Sequence, residues 1–424
     1  MSLIDQNVRQ GDLLHPLRVA AELSHLPGFF YLDSPFCESR SQEDNFRFST
    51  ITACPKSVFR GNLFNETDFA ALQAAYGARR YPDNSSPEPG SPEAGLFGYV
   101  SYEGDFVFGE YDDILVFDHA LGSWRESGCL STLRRPLNPE VPLPNESIRF
   151  TDNLDQTLFC ELVSRAQEYI AAGDIYQVNL SHRLSAPLPA PFNPFALYTS
   201  LREQSPAPYA TYTTLGGKII MSSSPEQFLS MSGSQIQTRP IKGTRPRFRD
   251  REMDEKSAYD LITSPKEVAE LVMITDLERN DLGQVCEFGS IVTNELLKLE
   301  RYAQVFHLVS TIEGTLRKEV GHLDAFRACF PGGSITGAPK KRAREIITEL
   351  EPCPRGLYTG AIGCLGFNGE SRFNIAIRTL IAEAGELHFH VGAGIVADSV
   401  PAKEWEETLH KAAGILQACG SHLP

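Results

Sequence analysis

An α+β fold follows from three features of the 424-residue sequence. Runs rich in β-branched and aromatic residues, bounded by Gly, Pro and Asn, recur along the chain as strands. Stretches with apolar residues at helical spacing fall between them in uneven groups. No strand–helix–strand alternation emerges, which disfavours a doubly wound parallel sheet.

The elements follow in order. Residues 28–34, 46–53, 95–102 and 113–118 read as strands, and 67–76 as a short helix. The Pro- and Ser-rich stretch 81–92 reads as a loop, and a second proline-rich stretch, 135–144, marks a boundary between residues 1–134 and 145–424. A helix over 158–172 ends at Gly173, where glycine permits a left-handed cap. Strands are expected at 174–180, 218–221 and 227–230. Ser264-Pro265-Lys266-Glu267 joins a capping box to a proline at the first helical position, and starts a helix running to Asp281 and ending at Gly283. Pro339 opens a third helix, and Pro401 the last, through Leu416. Between them 360–366, 372–380 and 387–394 read as antiparallel strands.

Composition narrows the function. Hydrophobic residues make up 42% and charged residues 22%, an ordinary globular balance with a large core. A net charge of −15 argues against nucleic acid or an anionic membrane as partner. No apolar run approaches the ~18 residues that a spanning helix needs, and the first residues lack a signal-peptide pattern. Nine scattered cysteines with no C-x-x-C pair indicate neither a disulfide framework nor a zinc site. A cytoplasmic protein with reduced thiols is expected.

Several stretches carry chemistry. In Pro-Ile-Lys-Gly-Thr, at 240–244, Lys242 stands before a Gly-Thr turn that exposes backbone N–H groups, and burial or nearby cations would make its amine a nucleophile. Glu267 and Glu270 share one helix face, and Glu404 and Glu407 repeat the spacing on the last helix. Two such pairs suit Mg²⁺, or each is a solvated acidic face. The glycine-rich 331–340 runs into a helix, an anion-friendly place, though it is no P-loop. Gly392 and Gly394 let a ligand approach bare backbone. Arg378 ends an apolar strand where a bidentate carboxylate contact is well supported, with Tyr358 as a second donor. His307 is a proton shuttle or a satisfied core histidine. His388 and His390 share one strand face without a third ligand and read as structural.

Together these stretches resemble the chorismate-utilising enzymes, which cover the anthranilate, aminodeoxychorismate, isochorismate and salicylate synthases. The carrying motifs are Gly-Asp-Ile-Tyr-Gln-Val-Asn at 173–179, Ser-Pro-Glu at 224–226 and Pro-Ile-Lys-Gly-Thr at 240–244. Asp-Leu-Glu-Arg-Asn-Asp-Leu-Gly at 276–283, Gly-Ser-Ile-Thr-Gly-Ala-Pro-Lys at 333–340 and Gly-Ala-Gly-Ile-Val-Ala-Asp-Ser at 392–399 complete the set. The Pro-Ile-Lys-Gly-Thr form at 240–244 is similar to the aminodeoxychorismate synthase component I branch, whereas anthranilate synthases carry alanine at the position of Lys242.

The resemblance implies two large antiparallel β-sheets packed face to face with helices outside, the N-terminal subregion 1–134 and the catalytic region 145–424 forming one intertwined unit. It implies Mg²⁺ held by Glu267, Glu270, Glu404 and Glu407. Chorismate would meet Gly243, Thr244, Ser334, Tyr358, Arg378 and Gly394. Lys242 would attack ring carbon C2 while Glu226 protonates the departing C4 hydroxyl. Ammonia, supplied by a separate glutaminase subunit because no Gly-x-Cys-x-Gly elbow occurs here, would give 4-amino-4-deoxychorismate for p-aminobenzoate and folate. His307 matches the position tied to pyruvate elimination in anthranilate synthases. A tryptophan pocket in relatives matches Ser34, Asn45, Phe46, Arg47, Phe48, Pro208, Tyr209 and Ala210. Anthranilate synthase is the alternative activity, and a non-catalytic Mg²⁺- or anion-binding protein the alternative class.

Overall fold

Short runs of Val, Ile, Phe, Tyr and Thr prefer pleated, half-buried surface, and they pair here into two large antiparallel sheets. The computed structural model describes residues 15–34, 47–80, 90–136, 147–302 and 304–421. Among these, eleven strands form the first sheet. Its order is Gly337–Ala338, Gln177–Pro187, Glu386–Ile395, Thr379–Glu383, Ile219–Ser224, Tyr209–Thr213, Phe30–Asp33, Phe48–Thr52, Ile114–Asp118 and Ser123–Ser127, with Thr151–Asp152 also paired to Gln177–Pro187. Ten strands form the second: Ile241–Pro246, Val305–Thr315, Gln235–Arg239, Gln227–Ser232, Glu370–Ile375, Ala361–Gly366, Gly95–Val100, Asp105–Tyr111 and Ser57–Asn62, with Val292–Arg301 on Val305–Thr315.

The sheets meet through apolar side chains. Phe30, Leu32, Phe48, Ile220 and Ile381 of the first interleave with Phe97, Tyr99, Ile362 and Cys364 of the second. Each such side chain contributes roughly 1.5–3 kcal/mol by leaving water. The outer face of the first sheet is covered by helices Pro16–Leu23, Pro194–Gln204 and Pro401–Ala418, through residues such as Val19, Tyr198, Leu201 and Ile415. Helices Glu66–Arg79 and His322–Cys329 bring Leu72 and Phe326 to the core that holds Phe108, Phe228 and Phe373 of the second. Among the described residues no helix is long and apolar enough to cross a membrane.

The expected helices form, at Glu66–Arg79, Gln156–Ala171, Pro265–Gly283, Lys340–Leu350 and Pro401–Ala418. Gly173 follows the second of these at φ +82, the left-handed value of a terminal glycine. Three expectations need correction. The run 372–380 is two strands, Glu370–Ile375 in the second sheet and Thr379–Glu383 in the first, because the chain crosses between layers. Arg378 makes that turn at φ +49. Ser264 caps its helix without a side-chain hydrogen bond, so no capping box forms; Glu267 instead pairs with Arg245 at 3.6 Å. Gly243 starts no turn: it is a bulge inside Ile241–Pro246, whose pairing jumps from Lys242–Leu308 to Thr244–His307. Residues 81–89 and 137–146 of the two proline-rich stretches lie outside the described residues.

Candidate active site

The bulge at Gly243 aims Lys242. Gly243 has φ +70, and a Cβ there would stand 2.6 Å from Leu261 Cδ1 and 3.1 Å from Glu267 Oε2. Only glycine fits. On the neighbouring strand His307 Nδ1 lies 3.1 Å from Thr244 Oγ1 and 3.2 Å from the Gly243 carbonyl. Burial, aided by the positive charge of Arg378, pushes the His307 pKa down to about 3. The ring is therefore neutral near physiological pH.

Lys242 Nζ reaches a carboxylate of the first of the two glutamate-bearing helices. It lies 3.8 Å from Glu270 Oε2 on Pro265–Gly283. Lys266, on the same helix, lies 3.1 Å from Glu404 Oε1 and 3.9 Å from Glu270 Oε1. Glu404 also accepts a hydrogen bond from Ser399 Oγ at 2.7 Å, and Glu407 pairs with Lys411 at 2.8 Å. Lys411 Nζ donates onward to the Gly392 carbonyl, also at 2.8 Å. Burial raises the Glu270 pKa, against the pull of Lys242 and Lys266, while Glu267 and Glu407 push it further up. Burial acts the same way on Glu407, but Lys411, Lys266 and Lys242 outweigh it and hold that carboxyl below its usual range. The two helices thus bring Glu267, Glu270 and Glu407 within electrostatic reach of one another, with Glu404 joined to them through Lys266.

These residues fit a magnesium ion. Glu270 Oε1 is buried without a hydrogen-bond partner, and carboxylate oxygens are the donors that a hard cation takes. Among the described residues no three His, Cys, Asp or Glu side chains converge as a ready-made cage.

Glu226, expected as the acid, is within electrostatic range of Lys242. Glu226 is 5% exposed and follows strand Ile219–Ser224, where Ser224 Oγ lies 3.3 Å from its backbone nitrogen and donates to the Ile375 carbonyl at 2.6 Å. Burial raises its pKa, while Ser334, Lys242 and the backbone at Ile241 pull it down. The net direction is upward, which favours the protonated carboxyl more than in an exposed glutamate. Arg378 lies close enough for Glu226 to offset part of the downward push that burial gives the guanidinium. Gly394 closes the floor. A Cβ there would meet Gln177 Nε2 at 3.1 Å and Lys242 Nζ at 3.5 Å. Tyr358 stacks on His390, centroids 5.2 Å apart and rings 13° from parallel, with its hydroxyl 2.8 Å from where Gly392 would carry a Cβ.

The sequence reading passed over Gln177, Lys266 and Lys411 as site residues. Gln177 has no exposed surface, yet both of its amide atoms lack a partner. Its motif was visible, but nothing in residue spacing marks an unpaired amide. Ser334 Oγ and Glu226 Oε1 are orphaned too. Buried polar atoms are rarely left unpaired, so this concentration outlines the space of a ligand.

The residues expected at a tryptophan pocket divide. Ser34, Pro208, Tyr209 and Ala210 line one cavity with Arg372 and Asn374, but its volume is about 20 Å³. That holds roughly one water. Arg372 donates to the Phe48 carbonyl at 3.0 Å and Thr50 Oγ1 at 3.3 Å, and Ser34 Oγ to the Phe48 carbonyl at 3.0 Å. Arg47 turns to Asp118 and lies over the Phe48 ring. Asn45 and Phe46 lie outside the described residues.

Glu226, Lys242 and the orphaned Gln177 amide thus gather near the carboxylates of two helices. The sequence matches the chorismate binding enzymes over residues 29–417. It is 43% identical to anthranilate synthase component 1 of Thermus thermophilus, over 74% of this chain and 71% of that one. It is 42% identical to aminodeoxychorismate synthase component 1 of Bacillus subtilis, over 74% and 70%. Anthranilate synthase component I from Streptococcus pneumoniae superposes with a TM-score of 0.75 at 28% identity, covering 96% of this chain and 98% of that one. The chain belongs to the chorismate-binding enzymes, in the group that holds the anthranilate and aminodeoxychorismate synthases.

Proposed function

We propose that the chain is component I of an aminodeoxychorismate synthase, converting chorismate and ammonia to 4-amino-4-deoxychorismate. The observation that carries this reading is Lys242 at the floor of the cleft, beside Gly394 and within electrostatic range of Glu226. Lys242 Nζ forms a bond to C2 of the ring while the C4–O bond breaks, and Glu226 gives its proton so that water leaves. Ammonia then bonds to C4 and the C2–Nζ bond breaks, returning the lysine. Arg378 and Tyr358 bind the enolpyruvyl carboxylate, and the backbone at Gly243, Thr244 and Gly394 admits the ring; Ser334 orients Glu226. Magnesium, held by Glu270 and Glu407 with Glu267 and Glu404 alongside, would neutralise the substrate's charge and draw electrons from the ring.

The ammonia comes from a separate glutaminase subunit, a reading supported by the component 1 names of the relatives. A cytoplasmic setting accords with the free cysteines among the described residues. Anthranilate synthase is the second reading. Two observations favour it: neutral His307 beside the Gly243 bulge, and the anthranilate synthase names among the relatives.

The test is mass spectrometry of the products of chorismate, Mg²⁺ and ammonia. We expect 4-amino-4-deoxychorismate, and fluorescent anthranilate would overturn the assignment. Glu226→Gln should abolish turnover while sparing chorismate affinity. Lys242→Ala should lose activity severely at limiting ammonia and recover in part at high ammonia. Full activity of the alanine variant at low ammonia would exclude the covalent route.

A further inference from the structure

Behind the cleft, on the face of Pro265–Gly283 turned to the glycine-rich loop, lies a carboxyl with no part in the chemistry above. Glu278 is 2% exposed, and its Oε1 accepts a hydrogen bond from Gly333 N at 2.8 Å. The contact is tight: a Cβ on Gly333 would stand 2.6 Å from Leu277 Cδ2 and 3.0 Å from Glu278 Oε1. One turn onward Asp281 takes the ion pair with Lys340, whose Nζ also donates to the Cys329 carbonyl at 2.9 Å. The nearby cation is therefore already engaged. Burying a carboxyl is costly, and here it is the Gly333 amide that meets it. A residue kept under those terms needs a reason other than stability.

The loop supplies one. Thr336 Oγ1 donates to the Gly332 and Gly333 carbonyls at 3.0 and 3.2 Å, and Gly337–Ala338 pairs with Gln177 and Val178. The far end is thus fixed by the strand that carries Gln177, and the near end by Glu278. Between them stands Ser334, buried in the electrostatic surroundings of Glu226, its Oγ and Glu226 Oε1 both without a hydrogen-bond partner.

We propose that Glu278 is a positioning residue for the reaction: by holding the Gly333 amide it aims the Ser334 hydroxyl at Glu226. The proposal rests on the reading of Glu226 as the acid. The groups facing Glu278 are Asp281, Lys340, the Cys329 thiol and Glu226. Burial and Asp281 push its pKa up to about 7, with Glu226 adding and Lys340 and the Gly333 amide opposing. Its ionisation thus places a negative charge near the acid above neutral pH, which helps Glu226 keep its proton.

The test compares wild type, Glu226→Gln, Glu278→Gln and Glu278→Leu for kcat, KM and melting temperature across pH, with chorismate and ammonia. Glutamine retains an acceptor for Gly333, so Glu278→Gln should keep kcat at neutral pH while its alkaline limb moves to lower pH. Leucine removes the acceptor, and kcat should fall on the order of 100-fold with KM little changed, as for a misplaced catalytic group. A leucine variant with wild-type kcat and pH profile overturns the proposal. So does a loss that merely tracks the folded fraction. If the leucine variant does not fold, the alkaline limb of Glu278→Gln decides, and an unmoved limb overturns it. A Glu226→Gln variant that keeps wild-type turnover overturns the reading of Glu226 instead, and this proposal with it.

Discussion

His307 shows how a single buried ring couples the site to acid stability. Unfolded, the imidazole takes a proton below its ordinary pKa of 6.5, whereas the fold keeps it neutral down to about 3. Protons then favour the unfolded chain, so stability is whole above pH 6.5 and is lost as pH falls toward 3. His307→Gln should flatten that decline in urea titrations between those limits. An unchanged slope would show that other groups govern it. Residues of this kind differ in how visible they are in a sequence. Lys242 announces itself by the Gly that follows it, since the bulge here takes a positive φ at that residue. Glu226 was visible only through family likeness, and Gln177 not at all as a ligand contact, because its orphaned amide is a property of its surroundings.

The paired carboxylate helices are the element whose behaviour the structure most constrains. Lys266 stands between Glu404 and Glu270. Burial lowers the Lys266 pKa, but those two carboxylates outweigh it and raise it. Lys266 is itself exposed, but removing it leaves the buried Glu404 and Glu270 carboxylates without that cation. Lys266→Met should therefore lower the melting temperature of metal-free protein, and added Mg²⁺ should restore most of the loss. Failure of Mg²⁺ to do so would separate the ion from these glutamates. A second element-scale prediction concerns the small cavity at Ser34 and Tyr209. With about 20 Å³ and Arg372 tied across it, tryptophan should leave the melting temperature of the wild type unchanged. A clear upward shift would show that Arg372 swings aside. Helices were legible because capping prolines and apolar spacing are local signals. The split of 372–380 was not, since one continuous apolar run serves two strands equally well and only the partner sheets distinguish them.

For the molecule as a whole, stability concentrates where the sheets face each other. Phe97 has no exposed surface, and its ring lies 5.8 Å from Phe30 and 5.6 Å from Tyr111. Phe97→Ala should cost about 3–5 kcal/mol in equilibrium unfolding. A loss under about 1 kcal/mol would mean that the layers slide to fill the gap. Sheet order lay beyond reach of the sequence, because pairing of Phe97 with Cys364, or Phe30 with Thr213, leaves no local trace. That same long-range pairing shapes the birth of the chain. Phe97 is made early and its partner strand late, so a nascent polypeptide leaves the ribosome with open strand edges and no neighbour to cover them. Such edges invite association between chains until the final strands arrive to cover them.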